Sequence, residues 1–367
     1  MGHQKVTLQE VAKLSWGNTS ITKSSYIKEG FPAFSAKGND GFLDHAEFNI
    51  DGIVLSAIGA RCGKCFKARG KWTAIKNTIT IIPDQNKVDL DYLFVQLNNE
   101  KFWKISGAAQ TFITLSTVKE RLVSLPPLVE QKRIAALLQT ADNIISTREQ
   151  IIYKLDEIAQ SIFINMFGDP IRNNKKWQLN SLGDVLNLIT YGLTVRPKYV
   201  LTGVPIISAK EIRNGYIDIE KALKISETDY NKVSDKGKPV LDDILFSKTG
   251  SIGYCALVSA NEKFVITQNA ARLNFKETLV NVIFALYYLK SGSIQTLAKK
   301  TAHGNAIKDL QLSVMKKFPF PLPPLSLQKK FAKKINIIEQ LKVKNTLALT
   351  KHNQIFDSLK NQSFSMN

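Results

Sequence analysis

The sequence predicts an α+β protein in which two similar globular domains are separated by two long antiparallel helices, arranged as a pseudo-two-fold tandem duplication. Three observations predict this fold: a helix-start motif that occurs twice, further sequence matches between the segments that precede the two motifs, and a seam of apolar residues after each motif. Hydrophobic residues make up 44% of the 367 residues, so the chain can form real cores in two or three domains.

The first observation is a proline-rich stretch that occurs twice. SLPPLVEQKRIAALL begins at residue 124, and PLPPLSLQKKFAKKI begins at residue 321, 197 positions later. Two prolines followed by helix formers are typical of an extended segment that leads into a helix. A second copy at such long range indicates a duplicated unit rather than a local repeat.

The second observation is that the match continues upstream of both prolines. The pattern G-x-P-x-x-S-A-K occurs at 30–37 and again at 203–210. Further on, GIVLSAIG at 52–59 corresponds to DILFSKTG at 243–250. The offset between copies grows along the chain, which indicates insertions in loops, where insertions are tolerated.

The duplication divides the chain into four segments. Within the globular segments, β-branched runs at 77–83 and 244–258 predict strands, and apolar periodic runs at 91–105 and 280–300 each predict a helix. The segments are a first globular domain at 1–125, a first spacer helix at 126–169, a second globular domain at 170–322 and a second spacer helix at 323–367.

The third observation is a seam of apolar residues, spaced by four and three, after each proline pair. This spacing is typical of a coiled coil, and two such helices in one chain would bury their seams best against each other as an antiparallel pair. Arg148 and Asn345 occupy the same position in the repeat, where a polar residue either fixes register or points to solvent. The predicted seam consists of Ile134, Leu138, Ile145, Ile152 and Leu155 in the first helix and Ile335, Ile338, Leu341, Ile355 and Leu359 in the second.

The charge of the chain points to a polyanionic partner. Its formal net charge is +19, of which the first helical segment carries −2, the second +6 and the globular segments +15. Such an excess on two domains favours nucleic acid, although a bias towards lysine for solubility would also produce it. Three cysteines are not enough to suggest a disulfide framework, and the sequence leads us to expect neither a signal peptide nor a membrane span. We therefore expect a cytoplasmic protein with no membrane partner.

With Pro-Pro-Leu-x-x-Gln-Lys opening two long helices, each after a globular domain, the chain resembles the specificity subunit of type I restriction–modification systems. The resemblance covers essentially the full length. It implies that each globular domain is a target recognition domain for one half of a split, asymmetric double-stranded DNA sequence. It also implies that the helices act as a ruler and dock two modification subunits, which are adenine-N6 methyltransferases that use S-adenosylmethionine. Restriction (motor–nuclease) subunits join such complexes, and the specificity subunit itself binds no cofactor and performs no chemistry.

No catalytic motif in the sequence supports an enzyme. The proline pairs are followed by leucine, so the N/D-P-P-aromatic loop of an adenine methyltransferase is missing. A P-loop is not matched at 59–65, and Cys62 and Cys65 have no second Cys/His pair to complete a zinc site. Two alternatives stay open: a self-contained DNA-modifying or DNA-cutting enzyme, and a coiled-coil adaptor that does not bind DNA.

Candidate DNA contacts lie in loops that match between the two copies. Base and phosphate contacts need Arg, Lys, Asn, Gln, Ser, Thr or His side chains held at the duplex. In the alternative interpretation, the matching residues maintain the fold and the base contacts lie where the copies differ. The candidates are Lys37, Arg61, Lys64, Lys76, Gln110 and Thr111 in the first domain and Lys210, Arg213, Asn214, Lys248, Thr249, Ser251, Gln268, His303 and Asn305 in the second.

Overall fold

The computed structural model describes residues 4–213, 215–304 and 307–364. The chain forms two compact units. Unit 1 contains the chain up to Glu149 together with the part from Leu347 onward, and unit 2 contains Gln150–Thr346. Each long helix contributes one part to each unit, so both units combine a mixed domain with a helical pair. The predicted α+β fold with two domains and two long antiparallel helices is confirmed.

Unit 1 is built on a four-stranded antiparallel sheet and a second, mixed sheet. Its strands are β1 (Lys5–Thr7), β2 (Ala12–Trp16), β3 (Phe31–Ser35), β4 (Gly38–Leu43), β5 (Phe48–Asn49), β6 (Gly52–Ser56), β7 (Cys65–Ala68), β8 (Lys71–Ala74), β9 (Thr78–Pro83) and β10 (Leu122–Ser124). Its helices are α1 (Leu8–Val11), α2 (Leu90–Leu97), α3 (Leu115–Lys119) and the long α4 (Leu128–Phe167). The central sheet has the order β2-β9-β6-β7, the mixed sheet has the order β4-β3-β8-β5, and β1 pairs with β10.

Unit 2 repeats this plan. Its strands are β11 (Gln178–Ser181), β12 (Leu186–Tyr191), β13 (Tyr199–Val200), β14 (Val204–Ile207), β15 (Leu223–Ile225), β16 (Ile244–Ser247), β17 (Cys255–Leu257), β18 (Val265–Ile266), β19 (Ala270–Phe275) and β20 (Pro319–Leu322). Its helices are α5 (Glu227–Lys232), α6 (Val282–Lys290), α7 (Gly292–Thr301), α8 (Leu312–Met315) and the long α9 (Leu325–Phe364). The central sheet β12-β19-β16-β17 corresponds to β2-β9-β6-β7, and parallel β14 and β18 correspond to parallel β3 and β8.

The helix predicted over 280–300 is two helices in the structure. Ser291, between α6 and α7, has extended backbone angles (φ −63°, ψ 141°), and its hydroxyl donates to the carbonyl of Tyr288 at 2.7 Å. An extended residue cannot continue an α-helix, and the serine hydroxyl satisfies one of the carbonyls exposed at the end of α6. In unit 1, the run predicted over 91–105 forms only α2, followed by a short 3₁₀ turn at Glu100–Phe102.

A buried glutamine explains why the same helix-start motif occurs in both copies. Gln131 and Gln328 are fully buried at equivalent positions in the first turns of α4 and α9. The Oε1 atom of Gln131 accepts from the Asp89 N–H at 2.8 Å. Its Nε2 donates to the carbonyls of Lys87 and Pro126 at 3.0 and 2.8 Å. One side chain therefore fastens the helix both to the proline segment before it and to the loop before α2.

The same three bonds recur in unit 2. Gln328 accepts from the Asn281 N–H at 2.8 Å and donates to the carbonyls of Leu279 and Pro323 at 3.0 and 2.8 Å. Because proline has no N–H and fixes its own backbone, the two prolines deliver an extended carbonyl to the glutamine without competing for it. We call these two arrangements the glutamine clamps.

The helical pairs bury their seams within each unit. In unit 1, Ile134 and Leu138 are buried, and Leu359 packs against the same core. In unit 2, Ile335 and Ile338 are buried in an aromatic cluster in which the rings of Phe167 and Phe284 lie 4.7 Å apart. Ile145, Ile152 and Leu155 are half-buried along α4.

The predicted assignment of Leu341 and Ile355 to the seam is wrong. Leu341 and Ile355 are 44% and 53% exposed, and the neighbouring Lys342 and Phe356 are turned inward instead. The seam advances by four residues after Ile338, which places Lys342 in it. A lysine stem can cover apolar surface while its ammonium reaches polar partners, and the Nζ of Lys342 donates to Asp156 at 2.7 Å. A pattern of apolar residues alone could not identify a lysine as a seam residue.

Within the residues described, no helix is both long enough and apolar enough to cross a membrane.

Candidate nucleic-acid interface

The two ends of the central sheet of each unit are built differently. In unit 1, the helix start lies at the Pro83 end of β9, where the Asp84 N–H donates to the Val11 carbonyl and Gln131 holds the following loop. At the opposite end, Ser56 pairs with Thr78, and the polypeptide leaves the sheet into the loops that carry most of the predicted contacts. We call this end the loop face.

The loop face of unit 1 comprises residues 57–64, 75–77 and 106–112, and backbone bonds hold it together. Ala57 donates its N–H to the Asn77 carbonyl at 3.0 Å and accepts at its carbonyl from the Ile113 N–H at 2.8 Å. The Gly59 N–H donates to the Thr111 carbonyl at 2.9 Å, and the Thr111 hydroxyl returns a bond to the Gly59 carbonyl at 2.8 Å. Three separate loops are thereby fixed at one end of the sheet.

Most predicted contacts of unit 1 come together here. Arg61 donates from Nη1 to the carbonyl of Lys37 at 2.8 Å, which joins the loop after β6 to the turn after β3. Lys37 and Lys76 line one cleft of about 510 Å³. Lys64 is exposed in the same turn as Arg61, and Gln110 is exposed beside Thr111. Four exposed cations on rigidly connected loops form a surface suited to phosphate.

Glycines shape the turn that presents Arg61 and Lys64. Gly59 and Gly63 have φ values of +105° and +92°, in the region that favours glycine. The two cysteines of this turn, Cys62 and Cys65, are buried, and burial raises the pKa of both thiols. They are protonated at neutral pH and pack as small apolar side chains. Among the described residues, no group of three or more His, Cys, Asp or Glu side chains is placed to hold a metal ion.

Unit 2 repeats these backbone bonds with different side chains. Its loop face comprises residues 248–254, 267–269 and the described part of the turn at 303–309. Lys248 donates its N–H to the Asn269 carbonyl at 3.0 Å and accepts from the Leu310 N–H at 2.8 Å, and the Gly250 N–H donates to the Lys308 carbonyl at 2.9 Å. The bonds define equivalent positions: Ala57 and Lys248, Ile58 and Thr249, Gly59 and Gly250, Thr111 and Lys308, and Phe112 and Asp309.

Lys248 and Thr249 are occupied by an internal partner. The Lys248 side chain is only 9% exposed and forms an ion pair with Asp309, to which the Thr249 hydroxyl also donates. Burial alone would raise the pKa of Asp309, but the bonds from Lys248 and Thr249 outweigh it and lower that pKa. The Nζ of Lys248 also lies 5.9 Å from the ring centre of Tyr191. Lys248 therefore supports the loop face from beneath.

The other predicted contacts of unit 2 lie on exposed loops. Lys210 and Arg213 follow β14, and Ser251, Gln268 and His303 lie on the loop face. His303 forms a two-way backbone bridge with Asp309, at 3.0 and 2.7 Å. Asn214 and Asn305 lie outside the described residues. Contact of any of these residues with DNA stays a prediction.

Sequence reasoning did not single out Phe112 and Asp309, which the structure places on the loop faces, or Tyr191, whose ring lies beside Lys248. Phe112 and Asp309 lie in turns that align at the same offset of 197 as the helix starts, with Gly107 matching Gly304, and their equivalent backbone partners agree with that alignment. The flanking apolar residues, Ile113 and Leu310, are buried in both units and are the signal that could have aligned the turns.

Comparisons with known proteins agree on one family. The family described as "Type I restriction modification DNA specificity domain" matches residues 2–157 and 174–355. The putative type I restriction enzyme MjaX specificity subunit of Methanocaldococcus jannaschii is 25% identical over 353 residues, which covers 91% of this chain and 80% of that protein. The crystal structure of a type I restriction–modification S subunit from M. genitalium superimposes with a TM-score of 0.64 at 18% identity, covering 100% of this chain and 97% of that one. A chain from a structural study of type I complex assembly and conformational transition gives a TM-score of 0.58 at 17% identity, with 99% and 97% coverage.

Proposed function

Because the chain belongs to the type I restriction modification DNA specificity family, we propose that it recognises a two-part, asymmetric DNA sequence. Each unit reads one half of the target with its loop face. The chain contributes no catalytic residue of its own. It directs an adenine-N6 methyltransferase, which brings S-adenosylmethionine, and a motor–nuclease subunit where restriction occurs.

The observation that carries this proposal is the duplicated loop face. Both units use the same backbone bonds to fix three loops at the sheet end opposite the glutamine clamp. Exposed cations lie on both faces, Arg61 and Lys64 on the first and Lys308 on the second. A shared frame with different side chains is what two readers of different half-sites require, since phosphate contacts position a protein and base contacts specify its sequence.

The helices support the role of a ruler. Each is 40 residues long, about 60 Å at about 1.5 Å per residue. Because each helix starts at a clamp in one unit and ends in the core of the other, its length sets the separation of the two half-sites.

The helices also carry apolar side chains that the seam does not use. Leu137, Ile144, Ile151 and Ile158 recur every seven residues along α4 and are between 39% and 49% exposed. Leu341 and Ile355, displaced from the seam, lie at the positions of α9 that correspond to Ile144 and Ile158. Exposed aliphatic rows of this kind mark protein interfaces. We assign them to two modification subunits, one for each repeat of the chain.

The experiment is methylation sequencing of genomic DNA from cells with and without this chain, in the presence of the type I modification methyltransferase from the same organism. We expect N6-methyladenine at a two-part motif with a fixed gap, present only with the chain. Removing four residues from the middle of α4 should shorten the helix by about 6 Å and change the gap by one or two base pairs while preserving both half-sites.

Two results would favour the alternatives. An adaptor would produce no chain-dependent motif and would show no DNA affinity that survives moderate salt. A self-contained enzyme would methylate or cut DNA as purified chain with S-adenosylmethionine or a divalent metal alone.

A further inference from the structure

We propose that the position occupied by Phe112 in unit 1 and Asp309 in unit 2 determines base preference in each half-site. Asp309 accepts a hydrogen bond from the amino group of a cytosine in the major groove, and Phe112 contacts the methyl group of a thymine. This inference rests on the proposed function, since it names the residues that make the two half-sites different.

The backbone places the two residues at the same point of the loop face. Phe112 exchanges two hydrogen bonds with Ser106, at 2.9 and 3.0 Å, and pairs with Ile58. Asp309 exchanges the same two bonds with His303 and pairs with Thr249. A position that is fixed so closely by the backbone can change its side chain without disturbing the loops.

The side chains at this position are accessible and chemically opposite. Phe112 is 39% exposed, and the side chain of Asp309 is 41% exposed. Both bonds from Lys248 and Thr249 end on Oδ1 of Asp309. Since the pKa of Asp309 is lowered, its carboxylate is ionised at neutral pH and acts only as an acceptor. Acceptor carboxylates pair with the cytosine amino group, and apolar side chains such as Phe pair with the thymine methyl group.

The negative charge of a carboxylate that faces DNA must be balanced by a nearby positive charge, and Lys248 provides one. An isolated negative charge would be repelled by the phosphates, but the nearly buried ammonium of Lys248 neutralises Asp309 from below. In unit 1, where Phe112 carries no charge, the residue equivalent to Lys248 is Ala57. The two copies therefore differ as matched pairs, Lys248 with Asp309 and Ala57 with Phe112. Lys248 is a positioning residue in this arrangement.

The test is the methylation motif directed by Asp309→Asn, read by sequencing genomic DNA for N6-methyladenine. An asparagine at this position would favour adenine, because its amide pairs with both N6 and N7. We expect the gap and one half-site to be unchanged and one position of the other half-site to lose its cytosine preference about tenfold in favour of adenine. The matched control is Asp242→Asn, which makes the same charge change at the opposite end of the same sheet. Asp242 has φ +66°, which asparagine adopts readily, and the motif should not change.

A second variant tests for a gained base requirement, which an unfolded chain could not produce. The double exchange Ala57→Lys with Phe112→Asp should transfer the cytosine requirement to the half-site read by unit 1. An unchanged motif in Asp309→Asn, or changes in both half-sites, would overturn the inference. If both variants retain the thermal stability of the parent chain but direct no methylation, it is overturned as well. Absence of any two-part motif with the parent chain would instead refute the proposed function.

Discussion

Replacing Gln131 by leucine should release the first long helix from its domain while leaving the side-chain volume nearly unchanged. The substitution removes three hydrogen bonds from a fully buried site and strands the N–H of Asp89 and the carbonyls of Lys87 and Pro126. At about 1 kcal/mol net for each bond, the free energy of unfolding of unit 1 should fall by about 3 kcal/mol.

Hydrogen exchange provides the assay because the structure names the reporting amide. If the Asp89 amide exchanges through opening of unit 1, a loss of about 3 kcal/mol corresponds to exchange that is roughly a hundredfold faster. Unit 2 is the internal control, since its amide at Asn281 is held by Gln328 and should keep its rate. Gln328→Leu should speed exchange of the Asn281 amide and leave the Asp89 amide unchanged. Gln139→Leu, at an exposed position of α4, should alter the exchange of neither amide. Unchanged protection of Asp89 in Gln131→Leu would refute the clamp as the reason for the repeated helix start.

Two further predictions concern the loop face and the seam. Lys64→Ala should reduce the slope of log K against log salt for DNA binding by about 0.9 and leave the methylated motif unchanged, because an exposed lysine contributes a phosphate contact. The control Arg133→Ala, on the helix α4, should leave the slope unaltered. A changed methylated motif in Lys64→Ala would contradict the assignment of Lys64 to a phosphate contact. Phe356→Ala should lower the free energy of unfolding, measured by urea denaturation, by about 2–3 kcal/mol, because Phe356 faces the seam. Ile355→Ala should lower it by less than about 1 kcal/mol. Equal losses in the two variants would mean that Ile355 is a seam residue after all.

The duplication could be predicted from sequence because it leaves marks at short range. Proline pairs, glycine turns and apolar periodicity are local signals, and they suffice for the α+β class and for long helices that start at Leu128 and Leu325. The role of the repeated glutamine was not apparent, since its partners lie 42 and 44 residues away in the chain. Only the folded chain brings them together.

The errors also have physical causes. Leu341 was favoured for the seam because it is apolar, but the phase of a helix is set by all its contacts, and Lys342 finds both an apolar surface and a carboxylate there. Ser291 divides α6 from α7 through a bond to its own helix end, which periodicity does not register. Asp309 was missed although its turn aligns with the turn of Phe112 at the offset of 197, because a phenylalanine and an aspartate share no chemistry that would mark the two positions as a pair.

Under the proposed function, the two ends of each central sheet would allow one scaffold to recognise different DNA targets. The clamp end must stay the same in both copies, because Gln131 and Gln328 each satisfy three buried polar groups and no apolar residue can replace those bonds. At the loop end, backbone bonds fix the positions of Phe112 and Asp309, so the side chains at these two positions are less restricted. A change of side chains at Phe112 or Asp309 can then alter the base that is read without altering the helix attachment. Under the proposed function, half-site sequence and gap length would therefore depend on different parts of the same chain.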